Sequence, residues 1–206
     1  MTIDRFVRIL ILAAAFAVGF MAVARAMSLR AGGVRAVVAD HQRSAAETAV
    51  DAFAVLVVLL WWFEIIAYAL PLPFHLAPPP VDIVLLNAVP TKTLGAGLGM
   101  LAAAGYGITL STMAKSWRVG IDRADPGPLV TNGVFQWSRN PIYVSLETLS
   151  LGAFLVFGNI DLLLFTLLLI GIMHRQIRRE EDFLTSIYGA AYTDYCSHVG
   201  RYSKWW

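Results

Sequence analysis

Two short segments of this chain carry residue types suited to a charged, water-soluble molecule: Arg139-Asn140-Pro141-Ile142-Tyr143 and, farther on, Glu180-Glu181. An arginine guanidinium can hold a carboxylate or phosphate by two parallel hydrogen bonds. Asn140-Pro141 reads as a helix start, because asparagine accepts a hydrogen bond from a free backbone N–H and proline at the first helical position needs no donor. Such a start carries partial positive charge and can receive an anion. The plainer alternative is a capped helix beside a snorkelling interfacial arginine. Around the acidic pair stand His174, Arg175, Arg178, Arg179 and Asp182. His174, Arg178 and Glu181 fall on one helix face, with Ile177, Leu184 and Tyr188 as an adjoining apolar stripe. Here the plainer reading is a solvated amphipathic helix with internal ion pairs.

Two further carboxylates, Glu64 and Glu147, sit inside apolar runs. An ionisable group at membrane depth implies either a function or a protonated acid hydrogen-bonded to a neighbouring helix. Glu147 is four residues after Tyr143 and so shares its face, where it can accept a proton or bind a cationic substrate. Glu64 is read as lining the opposite wall of the same chamber. Metal chemistry is not expected, because Cys196 is the only cysteine and the four histidines are scattered. A net charge of +2 without a dense basic stretch argues against nucleic acid as a partner.

These residues need apolar elements to position them. The chain has 206 residues, 58% of them hydrophobic and only 15% charged, with a positive mean hydropathy. At about 20 residues per span this predicts an all-α integral membrane protein with about five transmembrane helices. The spans are expected near Phe6–Val23, Ala52–Leu70, Thr93–Met113, Pro141–Phe157 and Ile160–Met173, with Gly158-Asn159 as a tight turn. No Gly or Pro interrupts Ile172 to Tyr188, so the fifth helix should run on out of the membrane. Pro71, Pro73 and Pro78 to Pro80 break the chain after the second span. Gly95, Gly99, Ala103 and Gly107 recur every fourth residue and predict a close helix contact, not a nucleotide loop.

Arg25, Arg30, Arg35 and Arg43 crowd the first loop, and Lys115, Arg118, Arg123 and Arg139 the third, while the second and fourth are nearly free of basic residues. The positive-inside rule then predicts an outside N-terminus and a cytosolic C-terminus, as in a bacterial inner membrane. Ala24-Arg25-Ala26 resembles a signal-peptidase site. An uncleaved first helix is expected instead, because the topology needs it.

Taken together, two blocks carry a family resemblance. Residues 129–143 read Leu-Val-Thr-Asn-Gly-Val-Phe-Gln-Trp-Ser-Arg-Asn-Pro-Ile-Tyr, and residues 180–201 contain Glu-Glu-x-x-Leu, Tyr188-Gly189, Tyr192, Tyr195, Val199 and Arg201. This spacing resembles the isoprenylcysteine carboxyl methyltransferase and phospholipid methyltransferase superfamily over about Trp117 to Arg201, and Ser116 to Gly120 looks like the segment its bacterial members carry before the first block.

The resemblance implies S-adenosyl-L-methionine as cofactor, S-adenosyl-L-homocysteine as product, and a lipophilic or amphiphilic acceptor from the bilayer. It implies Leu129, Val130, Phe135, Asn140, Pro141, Ile142, Tyr143 and Glu180 at the cofactor, with Glu180 as its acid. Arg139, Tyr143 and Glu147 are the expected catalytic residues, and Glu64, Arg175, Arg178 and Glu181 the expected substrate contacts. Residues 1–113 form a substrate-side scaffold of three helices in this reading. Residues 114–206 form the methyltransferase core, whose cytosolic tail closes over the cofactor. Asn140, Ser145 and Gln176 depart from the family pattern, which has histidine in eukaryotic members, glycine, and in the prenylcysteine enzymes arginine. Without that arginine, Arg175 or Arg178 must take an acceptor carboxylate, or the acceptor is not a prenylcysteine. A nicotinamide-dependent membrane reductase and a non-enzymatic carrier are the rival readings, and the sequence leaves the oligomeric state open.

Overall fold

The computed structural model describes residues 2–33, 44–76, 82–113 and 127–204. Arg35, Arg43, Pro78 to Pro80, Lys115, Ser116 to Gly120 and Arg123 lie outside the described residues. Within them the fold is all-helical: α1 (Ile3–Ala31), α2 (Ala45–Ala69), α3 (Val89–Met113), α4 (Pro141–Phe157), α5 (Ile160–Tyr188) and α6 (Ala190–His198). Short 3-10 turns at Val84–Leu86 and Gly133–Gln136 precede α3 and α4 respectively in the chain and no strand forms, save one isolated bridge between Asp82 and Asn159.

Among the described residues, α1, α2, α3 and α5 are long and apolar enough to cross a membrane. Five full spans are not established. The 17 residues of α4 reach only about 25 Å against a hydrocarbon core of about 30 Å. Phe16, Phe20, Leu59, Leu101 and Leu167 point outward, the arrangement of an integral membrane protein whose apolar surface faces lipid.

Helix ends follow local chemistry. Ser44 and Glu47 form a reciprocal capping box at the start of α2, with Glu47 N donating to Ser44 Oγ at 3.2 Å and Ser44 N to Glu47 Oε2 at 2.9 Å. α4 stops at Gly158, whose φ of 66° a side chain would disfavour, and Asn159 Oδ1 then caps α5 by accepting from Leu162 N at 2.9 Å. The expected turn at Gly158-Asn159 is thus present, as is the long α5.

Contacts along the helices give their directions. Asp4 meets Lys92 and Gly107 meets Met21, so α1 and α3 run parallel. Gly152 abuts Gly95 and Gly99, while Ser145 abuts Gly105, so α4 runs against α3. Ser150 bonds Thr166 and Tyr143 bonds Glu180, so α5 runs against α4. The small-residue stripe on α3 serves two neighbours: Gly95 packs on α4, and Gly99 and Gly107 receive Ile11 and Met21 of α1.

A Cβ at Gly152 would stand 2.6 Å from Gly95 O and 3.0 Å from Gly99 N, both immovable backbone atoms. Gly152→Ala should therefore lower stability by roughly 2 kcal/mol, the cost of overpacking a close contact. Gly97→Ala is the control, because nothing lies within 4 Å of that position. Thermal unfolding of both variants in detergent checks the expectation, and equal melting curves would contradict it.

Candidate functional site

One end of the bundle gathers most of the residues singled out above. The segment before α4, the outer half of α5, and α6 with its following tail converge there. Their centre is Glu181, which is buried. Arg201 Nε and one terminal nitrogen donate to its Oε2 at 2.9 and 2.6 Å, Asn140 Nδ2 donates to Oε1 at 3.0 Å, and an Arg139 terminal nitrogen lies 3.3 Å from Oε1. Backbone bonds reinforce the join. Arg139 N donates to Gly200 O at 3.1 Å, and Ser138 Oγ and Asn140 Nδ2 both donate to Arg201 O. The hydrogen bonds from Arg201 to Glu181 raise the Arg201 pKa above its already high value, so it stays charged.

This corrects one expectation. Asn140 stands at the N-cap position of α4, but its side chain makes no capping hydrogen bond. Its Nδ2 instead donates outward to Glu181 Oε1 on α5 and to Arg201 O in the tail, contacts that hold the side chain away from the first-turn amides of α4.

Glu180, the next residue, faces a different way. Tyr143 Oη donates to its Oε1 at 2.5 Å and Gln176 Nε2 at 3.0 Å. Both donors are uncharged. The neighbouring Arg179 is engaged elsewhere, with Asp51 at 3.2 Å and Glu47 at 3.6 Å on α2. Glu180 therefore has no close ion-pair partner among the described residues. Arg139 and Arg201 together place two positive charges on the single negative charge of Glu181, and Arg139 Nε is buried with no hydrogen-bond partner. One end of the site can take an anion and the other a cation.

Beside Arg139 opens a pocket of about 110 Å³ lined by apolar and aromatic residues. Leu129, Val130 and Phe135, all expected at the cofactor, line it. Leu184, Tyr188, Tyr192 and Tyr195 complete the wall. They were legible as an apolar stripe and a tyrosine spacing, but only the fold turns them toward Phe135. Tyr195 Oη donates to Phe135 O at 2.6 Å, and burial pushes its phenol up to about 12, so it remains a donor. Tyr188 Oη donates to Gly127 O at 2.5 Å. Helical spacing places Glu180, Leu184 and Tyr188 along one face, so Glu180 lies one turn before the pocket-lining Leu184.

Other expected residues lie elsewhere. Pro141 lines a separate crevice of about 350 Å³ with Gly105, Thr109, Val144, Ser145 and Tyr202, and Ile142 packs on the hydrophobic core. Arg175 lies 3.9 Å from Asp51, and Arg178 is exposed. Glu64 is fully buried at the opposite end of the bundle, held by Leu76 N at 2.5 Å and His75 Nδ1 at 3.1 Å. The direction of α2 separates it from the site: Asp51 meets Arg179, and Glu64 is thirteen residues, about 20 Å of helix, farther along. Among the described residues no group of His, Cys, Asp and Glu could hold a metal.

Fold and site define an all-helical integral membrane protein with a polar, aromatic-walled site at one end of its bundle. Over residues 94–191 the chain matches the family model for phospholipid methyltransferase. It is also similar to protein-S-isoprenylcysteine O-methyltransferase of Schizosaccharomyces pombe, 37% identical over 72 residues, 34% of this chain and 30% of the relative. Its counterpart in Saccharomyces cerevisiae is 34% identical over 73 residues, 35% of this chain and 30% of the relative. The chain thus matches under a third of the length of these curated relatives. The resemblance carried by the two motif blocks is borne out, and it is a resemblance to methyltransferases.

Proposed function

We propose that the protein transfers a methyl group from S-adenosyl-L-methionine to a lipophilic or amphiphilic acceptor drawn from the bilayer, at the cytosolic face. The observation that carries this reading is the pairing of opposite charges around one aromatic pocket. Arg139, with an unpartnered buried Nε, lines the pocket, and Glu180, with only neutral donors, lies one helical turn before the pocket-lining Leu184 on the same face of α5. An amino-acid zwitterion joined to an adenine ring matches that arrangement: carboxylate to Arg139, ammonium to Glu180, ring among Phe135, Tyr188, Tyr192 and Tyr195.

When bound, the cofactor supplies an already activated sulfonium methyl. The residues of this chain have then to orient and enclose, without a covalent intermediate on the enzyme. Tyr143 and Gln176 fix Glu180, Glu181 fixes Arg139, and the Glu181–Arg201 join holds the tail over the site. In this reading α1 to α3 form the acceptor-side scaffold, with the crevice between α3, α4 and Tyr202 as the way in.

Binding of S-adenosyl-L-homocysteine to the purified chain, followed by a screen of radiolabelled methyl transfer into lipid and thiol pools, tests the proposal. Wild type should bind, and Arg139→Ala should weaken binding roughly tenfold or more through loss of a charge-assisted contact. A folded wild type that binds no adenosyl ligand sinks it. Tight nicotinamide binding would point to a reductase, and neither ligand to a carrier.

A further inference from the structure

The crevice between α3, α4 and the tail is more apolar than its residue types suggest. Thr109, Ser138, Ser145 and Tyr202 all line it, yet their hydroxyls are engaged elsewhere. Thr109 Oγ1 donates to Gly105 O at 2.8 Å and Ser145 Oγ to Pro141 O at 2.9 Å, each back onto its own helix. Ser138 Oγ donates to Arg201 O and accepts from Asn140 N, both at 3.1 Å, and Tyr202 Oη lies 2.6 Å from His174 Nδ1. Val144 and Pro141 add only carbon, and Gly105 leaves room by having no side chain. The volume of about 350 Å³ is that of a small-ligand pocket.

The crevice also has a direction. Gly105 lies eight residues, about 12 Å of helix, before the end of α3. Trp137, 66% exposed, and the exposed Lys204 come from the chain outside the helices and form the mouth. Tryptophan and lysine both suit the headgroup level of a membrane. Lys204 Nζ lies 5.8 Å from the centre of the Trp137 ring and has no carboxylate partner among the described residues. Among those residues no carboxylate lines the crevice. Glu147, an expected catalytic residue, is half-buried on α4 outside these walls, with its Oε1 lacking a hydrogen-bond partner. The nearby arginines are committed or elsewhere. Arg139 and Arg201 meet Glu181, Arg175 and Arg179 meet Asp51, and Arg178 lines neither pocket.

We propose that this crevice seats an anionic amphiphile from the bilayer, its apolar chain between α3 and α4 and its headgroup on Lys204, and that Lys204, not Arg175 or Arg178, selects the acceptor by charge. This rests on the methyl-transfer reading above. Arg139 and Arg201 bring two positive charges to the single negative charge of Glu181, so the base of the tail adds to the attraction. A neutral headgroup keeps the chain's burial and loses the ion pair. A cationic one is repelled.

The test uses the full chain in uncharged maltoside micelles, with hexadecyl phosphate carrying a photoreactive diazirine on its chain as the probe. Crosslinks should fall on the peptides containing Gly105 to Thr109 and Val144 to Ser145. Unlabelled hexadecyl phosphate should displace the probe at roughly five- to tenfold lower concentration than hexadecanol, the size of a charge-assisted contact weakened by exposure. Hexadecyltrimethylammonium should displace it least. Lys204→Gln should bring phosphate and alcohol within about twofold, and Lys204→Arg should restore the preference, which separates loss of charge from loss of fold. Val144→Trp, which fills the crevice, should abolish crosslinks at these peptides. Crosslinks spread evenly over the lipid-facing helices, or a phosphate preference unchanged in Lys204→Gln, overturn the proposal. A wild type that shows the crevice labelling and its charge preference yet binds no S-adenosyl-L-homocysteine overturns the methyl-transfer reading instead and leaves the amphiphile site standing.

Discussion

Glu181→Ala should lower the thermal unfolding midpoint by roughly 6–12 °C, the equivalent of about 3 kcal/mol in a chain of this size. The loss is large because one carboxylate serves three donors. Without it, Arg139 and Arg201 face each other with no anion between them, and the Asn140 amide loses one of its two acceptors. Arg201 is partly exposed and can turn toward water, which keeps the expected cost at the lower end for a buried pair. Glu181→Gln should recover only part of the loss, because an amide retains one acceptor oxygen but not the charge. Melting curves in one detergent, with tryptic cleavage near residues 200–204 as a second readout, check this. A melting point within about 1 °C of wild type would show that the join contributes nothing measurable.

The adjacent residue should behave in the opposite way. Glu180→Gln is expected to leave the melting point nearly unchanged, because glutamine still accepts from Tyr143 and Gln176. Its affinity for S-adenosyl-L-homocysteine should fall by roughly 10- to 150-fold, since a charge-assisted hydrogen bond to an ammonium is worth about 1.5–3 kcal/mol. Calorimetric titration of both variants gives a crossed result: stability lost with affinity partly kept for Glu181→Gln, stability kept with affinity lost for Glu180→Gln. Affinity of Glu180→Gln within twofold of wild type would remove this residue from the cofactor site.

The class of fold was legible because its causes are local. Long apolar runs, Pro141 at a helix start, Gly158-Asn159 at a helix junction and an unbroken stretch to Tyr188 each act within a few residues of themselves, and each appears in the structure. The two motif blocks were also local strings, and their fixed spacing was enough to find the family resemblance and to name Leu129, Val130, Phe135 and Glu180.

What the sequence could not resolve is which polar groups meet. Glu180 and Glu181 are neighbours in the chain, yet about 100° of helical rotation sends one toward Tyr143 and Gln176 and the other toward Arg139, Asn140 and Arg201. Glu64 and Glu147 read alike as carboxylates at membrane depth, and only the direction of α2 puts Glu64 against His75 at the far end of the bundle. The contact of Tyr202 with His174 has no local signal, because it joins residues 28 apart through the fold of the tail over α5. The sequence by itself determined the helices and the kind of molecule they are similar to. Only the tertiary structure decided the pairing of charges, because hydrogen bonds and ion pairs depend on side-chain separations that helix packing, not chain order, imposes.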